Sequence, residues 1–164
     1  GTDVVDTETM TRVKTLDTGA ASHNAYTAPD GGLVYATSMG DNQIAVIDPA
    51  TLEIERIIAL PGQPRPMSLT DDGRFAHVVL SGMTGFITVD LSTDQEVSRV
   101  SVPIPEGTPV PPLDTYTHGM LLTPNQRELW IAARDMSLAR FLDVRGKLRV
   151  LLVVGIEIGV RAGL

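Results

Sequence analysis

Cysteine is absent from all 164 residues, which excludes disulfides, thiolate metal sites and cysteine nucleophiles. Basic residues are outnumbered, 13 Lys+Arg against 20 Asp+Glu, for a formal net charge of −7. That balance disfavours nonspecific binding to nucleic acid or to an anionic membrane, because both need basic patches. Long apolar runs are missing as well. The longest, Val150 to Ile156, falls far short of the roughly 20 residues of a membrane helix, so no membrane span is expected. There is no Gly-x-x-x-x-Gly-Lys or Gly-x-Gly-x-x-Gly phosphate loop and no Gly-x-Ser-x-Gly nucleophile elbow. Gly1 is not an initiator methionine, so processing or trimming at the front is expected, and no signal peptide is visible in the given chain.

What remains is ordinary globular material. Apolar residues make up 43% and charged residues 20%, and the length suits one domain or a piece of a larger one. Within it three landmarks recur. Apolar segments end in aspartate at Val4-Val5-Asp6, Ala45-Val46-Ile47-Asp48, Thr88-Val89-Asp90 and Phe141-Leu142-Asp143, with intervals of 42, 42 and 53 residues. Turn signatures fall at Pro29-Asp30-Gly31, Asp71-Asp72-Gly73 and Pro124-Asn125-Gln126, and Asp30, Asp72 and Asn125 repeat the intervals of 42 and 53. A strand-like segment follows each turn: Leu33 to Ala36, Phe75 to Val79 and Leu129 to Ala132. The extra residues of the third unit lie in the proline-rich stretch Pro103 to Tyr116, which reads as a long surface loop.

Each unit holds four short strands. In the second they fall at about Ile44–Asp48, Glu53–Leu60, Met67–Thr70 and Phe75–Ser81, and Glu53-Ile54-Glu55-Arg56-Ile57 alternates with period two. Four-stranded units recurring every 40-odd residues predict an all-β chain of propeller blades; a β-sandwich is the weaker alternative.

Three segments then carry a resemblance: Tyr35-Ala36-Thr37-Ser38, Gly40-Asp41-Asn42 and Ile44-Ala45-Val46-Ile47-Asp48-Pro49-Ala50-Thr51. Together with Pro29-Asp30-Gly31 they resemble the YVTN-type β-propeller repeat over residues 4–143. The resemblance implies a surface or periplasmic propeller, distantly similar to cytochrome d1-type and amine-dehydrogenase-type propellers. It says little about activity, because such folds host many functions.

Labelled from the channel outward, the inner strand A of the first full unit is expected at about Asn24–Ala28. Strand B follows at Leu33–Ser38, C at Gln43–Asp48 and D at Glu53–Leu60. The chain then opens with an incomplete blade over 1–18, formed by a C strand (Thr2–Asp6) and a D strand (Thr11–Leu16). Full repeats follow at about 19–60, 61–102 and 103–154, with a last D-like strand at Lys147–Val154. From 145 to 164 the composition turns basic and apolar and leaves the repeat pattern. The total is three and a half blades, against the roughly four to eight of a closed ring. The chain is therefore expected to be part of a longer propeller, or to need a protein partner or a second copy to cover its ends.

Candidate chemistry is sparse. His23, Arg65 and His118 each precede the landmark residue of their turn by seven positions, so they are equivalent positions at the start of successive inner strands. Two imidazoles and a guanidinium on one channel mouth suit a small anion. The two imidazoles, His23 and His118, are also possible ligands for a metal or haem iron, although no cofactor is required by the sequence. Arg65, as a rim residue, is expected to support no core. His77 and Trp130 are expected to be structural, the latter packed between blades. A Ser22-His23-Asp114 triad, calcium at Gly40-Asp41-Asn42 or Asp71-Asp72-Gly73, and a site at Arg134-Asp135 are weaker readings than turn chemistry and ion pairing.

Three functional readings follow. A non-catalytic binding or scaffold module, outside the cytoplasm, leads. Part of a haem- or metal-dependent enzyme or cofactor-handling protein is the alternative, and a fragment without activity of its own is the third.

Overall fold

In a computed structural model the described residues are 1–101, 106, 117–133, 140–143 and 148–149. Among them are fourteen strands and no helix. β1 (Thr2–Asp6) and β2 (Thr11–Leu16) form a two-stranded half blade. The first full blade is the antiparallel meander β3 (Ser22–Thr27), β4 (Val34–Ser38), β5 (Gln43–Asp48) and β6 (Glu53–Ala59). The second is β7 (Pro64–Leu69), β8 (Phe75–Leu80), β9 (Gly85–Asp90) and β10 (Gln95–Ser101). The third is β11 (Thr117–Leu122), β12 (Glu128–Ala133), β13 (Arg140–Asp143) and β14 (Leu148–Arg149). The loop expected over 103–116, apart from Glu106, lies outside the described residues, as do the last strand expected over 147–154 and the tail 145–164, apart from Leu148–Arg149.

The recurring aspartates explain themselves in the turns. Asp6, Asp48 and Asp90 each accept a backbone N–H two residues on, from Glu8, Ala50 and Ser92 at 2.9, 2.7 and 3.0 Å. An aspartate that closes its own turn in this way fixes where strand C stops and the chain reverses. The backbone repeats with the same interval: Met10, Leu52 and Asp94 all adopt left-handed φ values of 54–59° before strand D. In the hairpin between strands A and B, Gly31, Gly73 and Gln126 hold the same left-handed position.

Strands B and C of the first and second full blades are buried on both sides, so their alternating faces serve two different neighbours. One apolar cluster joins Val4 and Leu16 of the half blade to Ala36, Ala45 and Ile47. A second joins Tyr35, Ile44 and Val46 of the first blade to Ala76, Val78, Ile87 and Val89 of the second. A third joins Val79 and Phe86 to Leu129 and Ile131 of the third blade. Arg56 reinforces the second interface from the outside, with its Nε 3.1 Å from Asp94 Oδ2 and its Nη2 donating to the Leu91 carbonyl at 3.0 Å.

His77 belongs to this packing. It is 7% exposed, lies edge-on to Phe86 with ring centroids 5.3 Å apart, and shares a 3.0 Å hydrogen bond between Nδ1 and Thr88 Oγ1. Trp130 occupies the equivalent place in the third blade but is 39% exposed, because no described strand follows on that side. The expectation of a core tryptophan is corrected to that extent.

Burial holds the His77 imidazole below its ordinary pKa, so protonation favours the unfolded chain. Hydrogen bonds hold the Asp6, Asp48 and Asp90 carboxyls below theirs. Stability should fall in two steps on acidification: as pH drops below about 6.5, where the unfolded histidine takes up a proton, and again below about 4, as pH falls from the unfolded carboxylate value through the folded ones. Denaturant midpoints measured from pH 7.5 to 5 should decline less for His77→Phe than for the native chain. A slope unchanged by the substitution would contradict the assignment.

Candidate functional site: three bulged inner strands

β7 packs against both β3 and β11, so the inner strands of the three full blades are neighbours. Each carries a register break at the same place. In β3 the pairing jumps from Ser22↔Ser38 to Ala25↔Ala36, leaving His23 and Asn24 opposite Thr37. In β7 it jumps from Pro64↔Leu80 to Met67↔Val78, leaving Arg65 and Pro66 opposite Val79. In β11 it jumps from Thr117↔Ala133 to Gly119↔Ala132, leaving His118 in the break. His23, Arg65 and His118 are therefore the residues that repeated β-bulges lift out of the ladder. Bulges re-aim side chains in this way at barrel rims and beside sites.

The residues behind the bulges vary together. Asn24, Pro66 and Gly119 follow the three candidates, and Thr37, Val79 and Ala132 face them from strand B. In the first blade the displaced Asn24 N–H donates to Thr37 Oγ1 at 3.1 Å, and that hydroxyl donates to the Asn24 carbonyl at 3.3 Å. In the second, proline has no N–H to satisfy, and the facing residue is apolar Val79. In the third, the facing residue is small: a Cβ on Gly119 would sit 3.2 Å from the Ala132 methyl. Tyr26 secures the spacing of the first two inner strands, since its hydroxyl accepts the Met67 N–H at 3.0 Å and the Asn24 Nδ2–H at 2.8 Å.

His23 and His118 are exposed, whereas Arg65 is 8% exposed and donates from Nε to Ser81 Oγ at 2.8 Å. The expectation that Arg65 supports no core is thus corrected: β7 is covered on both sides, and its arginine stem is buried with it. Burial pushes the His23 imidazole below its ordinary pKa, and the charges of Arg65 and His118 push it further the same way. The three residues share one electrostatic environment, which linear sequence separates by 42 and 53 positions.

The weaker candidates resolve as turn and strand chemistry where they are described. The Ser22 hydroxyl shares a hydrogen bond with Thr18 Oγ1 at 3.0 Å and donates to the Gly19 carbonyl at 3.4 Å. Asp114, Arg134 and Asp135 lie outside the described residues. Asp41 Oδ2 accepts the Ala20 N–H at 2.7 Å, and Asp72 Oδ1 accepts from Thr70 and Arg74 at 2.6 and 3.0 Å. No group of three or more His, Asp or Glu residues able to hold a metal ion occurs among the described residues. Nor does any helix long and apolar enough to cross a membrane.

No protein-family model and no curated protein matches the sequence. Solved structures do. Kuenenia stuttgartiensis hydrazine synthase superposes with a TM-score of 0.66 at 17% identity, over 79% of this chain and 35% of that one. The β-propeller domain of Cps50 (Swd1) from Myceliophteria thermophila gives 0.64 at 17%, over 81% and 40%. Dihydro-heme d1 dehydrogenase NirN, solved in complex with DHE, gives 0.55 at 18%, over 93% and 42%. At these identities the likeness concerns the fold, which is a partial β-propeller. The chain spans less than half the length of each of these structures.

The shared environment of the rim can be read directly. The His23 imidazole should titrate below about 6.5 in NMR, and Arg65→Gln should raise its midpoint by removing a neighbouring positive charge. An unchanged midpoint in a folded variant would place Arg65 too far away to matter.

Proposed function

We propose that this partial propeller is a non-catalytic binding or scaffold module of the YVTN type, working outside the cytoplasm and presenting the mouth of its channel to an anionic guest. The observation that carries the reading is the repeated bulge, which puts His23, Arg65 and His118 at equivalent points on three adjacent inner strands. Arg65 is the fixed charge of the set. The flanking imidazoles supply N–H donors and, once protonated, further charge. In a chain of net charge −7, such a cluster is a local positive focus for a carboxylate, phosphate or sulfate group. The same reading has the ring completed by further blades of a longer chain, by a protein partner or by a second copy; Val5, Leu121 and Trp130 are exposed apolar residues of the half blade and of the third blade.

A second reading, part of a haem- or metal-dependent propeller enzyme or cofactor-handling protein, draws on two facts. The charge of His118 is one of the causes that lower the His23 pKa, and NirN was solved in complex with DHE. Two imidazoles fall short of a zinc set, so an absorbance spectrum and metal analysis of the isolated protein separate the readings. A haem band or stoichiometric metal that is lost in His23→Ala and His118→Ala would favour the second.

Calorimetric titration with phosphate, sulfate and a dicarboxylate tests the first reading. Binding should strengthen as pH falls from 7.5 to 6, and the exposed His118→Gln variant should weaken it with little effect on stability. Arg65→Gln should cost about 1.5–3 kcal/mol of binding, the value of a hydrogen bond to a charged group. Equal binding by the native chain and both variants would overturn the anion site.

A further inference from the structure

Two residues of the first blade depart from the repeat, and they meet. Tyr26 is equivalent in register to Ser68 and Leu121, since the three stand opposite Tyr35, His77 and Trp130 of strand B. Asn24 is equivalent to Pro66 and Gly119, each directly after its rim candidate. Of the three full blades, only the first joins an amide to an aromatic hydroxyl here, with Asn24 Nδ2 donating to the Tyr26 oxygen at 2.8 Å. The other two blades form without either group, so the blade itself does not require the pair.

The strand order places this hydroxyl at the channel. β7 is the end strand of its sheet and pairs with β8 along one edge. The Met67 N–H donates to the Tyr26 oxygen at 3.0 Å and not to a carbonyl of β8, so it leaves β7 by the other edge. In a propeller that inner edge lines the channel. The oxygen that receives the N–H is therefore there too, carried by a half-buried ring packed in the cluster between the first and second blades. Through Asn24 it adjoins His23, and through Met67 it lies two residues from Arg65.

A phenol offers two lone pairs and one proton. Asn24 and Met67 take the lone pairs, and among the described residues nothing accepts the proton. Two donors into one oxygen also polarise its O–H and strengthen it as a donor. Resting on the reading of the channel mouth as an anion site, we infer that Tyr26 is a ligand residue of that site, its O–H donating to the guest between the first and second inner strands. A directional O–H among cations selects an oxyanion with several acceptor oxygens: one meets the phenol, and the others remain for the charged groups.

Calorimetric titration with inorganic phosphate compares the native chain with Tyr26→Phe, which keeps the ring in its cluster. NMR follows the His23 midpoint and the Tyr26 Cζ resonance. Phosphate should bind Tyr26→Phe about tenfold or more weakly, as loss of one hydrogen bond to a charged group implies. It should also move the native Tyr26 resonance in step with binding. Without phosphate the His23 midpoint should be the same in both chains, because the inner strands keep their spacing. Equal affinity with and without the hydroxyl, or a Tyr26 resonance that ignores phosphate, would overturn the Tyr26 assignment and leave the anion site standing. Weakened binding together with a displaced His23 midpoint would make Tyr26 a spacer of the strands and overturn it as a ligand. A native chain that binds no phosphate would overturn the anion site itself, and the Tyr26 assignment with it.

Discussion

Everything in this chain hangs on the packing of one blade face against the next. Strand B sets the pattern: Tyr35, His77 and Trp130 point one way around the arc, and Ala36, Val78 and Ile131 point the other. A large side chain meeting smaller aliphatic ones lets neighbouring sheets approach closely without voids. Because the sheets of the first and second full blades are buried on both sides, their strands B and C cannot alternate polar with apolar. They read instead as continuous runs such as Ile44-Ala45-Val46-Ile47, and the polar alternation survives only in strand D, as in Glu53 to Ile57.

The same packing generates the site. Stacking blades in register brings equivalent residues of the inner strands to one end of the arc, so any residue type repeated at that position becomes a cluster in space. Here the position is further marked by a bulge in every full blade. The surroundings of the break differ from blade to blade: Thr37 takes the Asn24 N–H in the first, Pro66 has no N–H to place in the second, and Gly119 leaves room for the Ala132 methyl in the third.

The architecture was legible because its cause is periodic. Intervals of 42 and 53 between turn-closing aspartates located the blades, and β1, β2 and β5 fall where the pattern puts them. The inner strands were misplaced. β3 was expected to begin at Asn24 and begins at Ser22, and β7 was expected from Met67 and begins at Pro64. A bulge adds a residue without changing composition, and Pro64 and Pro66 read as loop because proline is rare inside strands. Proline at the break is in fact compatible with pairing there, since a displaced residue has no ladder hydrogen bond to lose. The equivalence of His23, Arg65 and His118 was visible in the spacing. The burial of Arg65 and the exposure of Trp130 were not, because both depend on which blades have neighbours.

The most direct measurement of the central claim is the distance between nitroxide labels at His23→Cys and His118→Cys, feasible without background in a cysteine-free chain. The two positions are separated by two blade-to-blade steps. At about 10 Å per packed sheet, the backbone separation should be about 20 Å or less, with a narrow distribution that the addition of denaturant abolishes. A broad distribution under native conditions, or one centred beyond about 30 Å, would show that the three inner strands do not share a rim and would contradict the account.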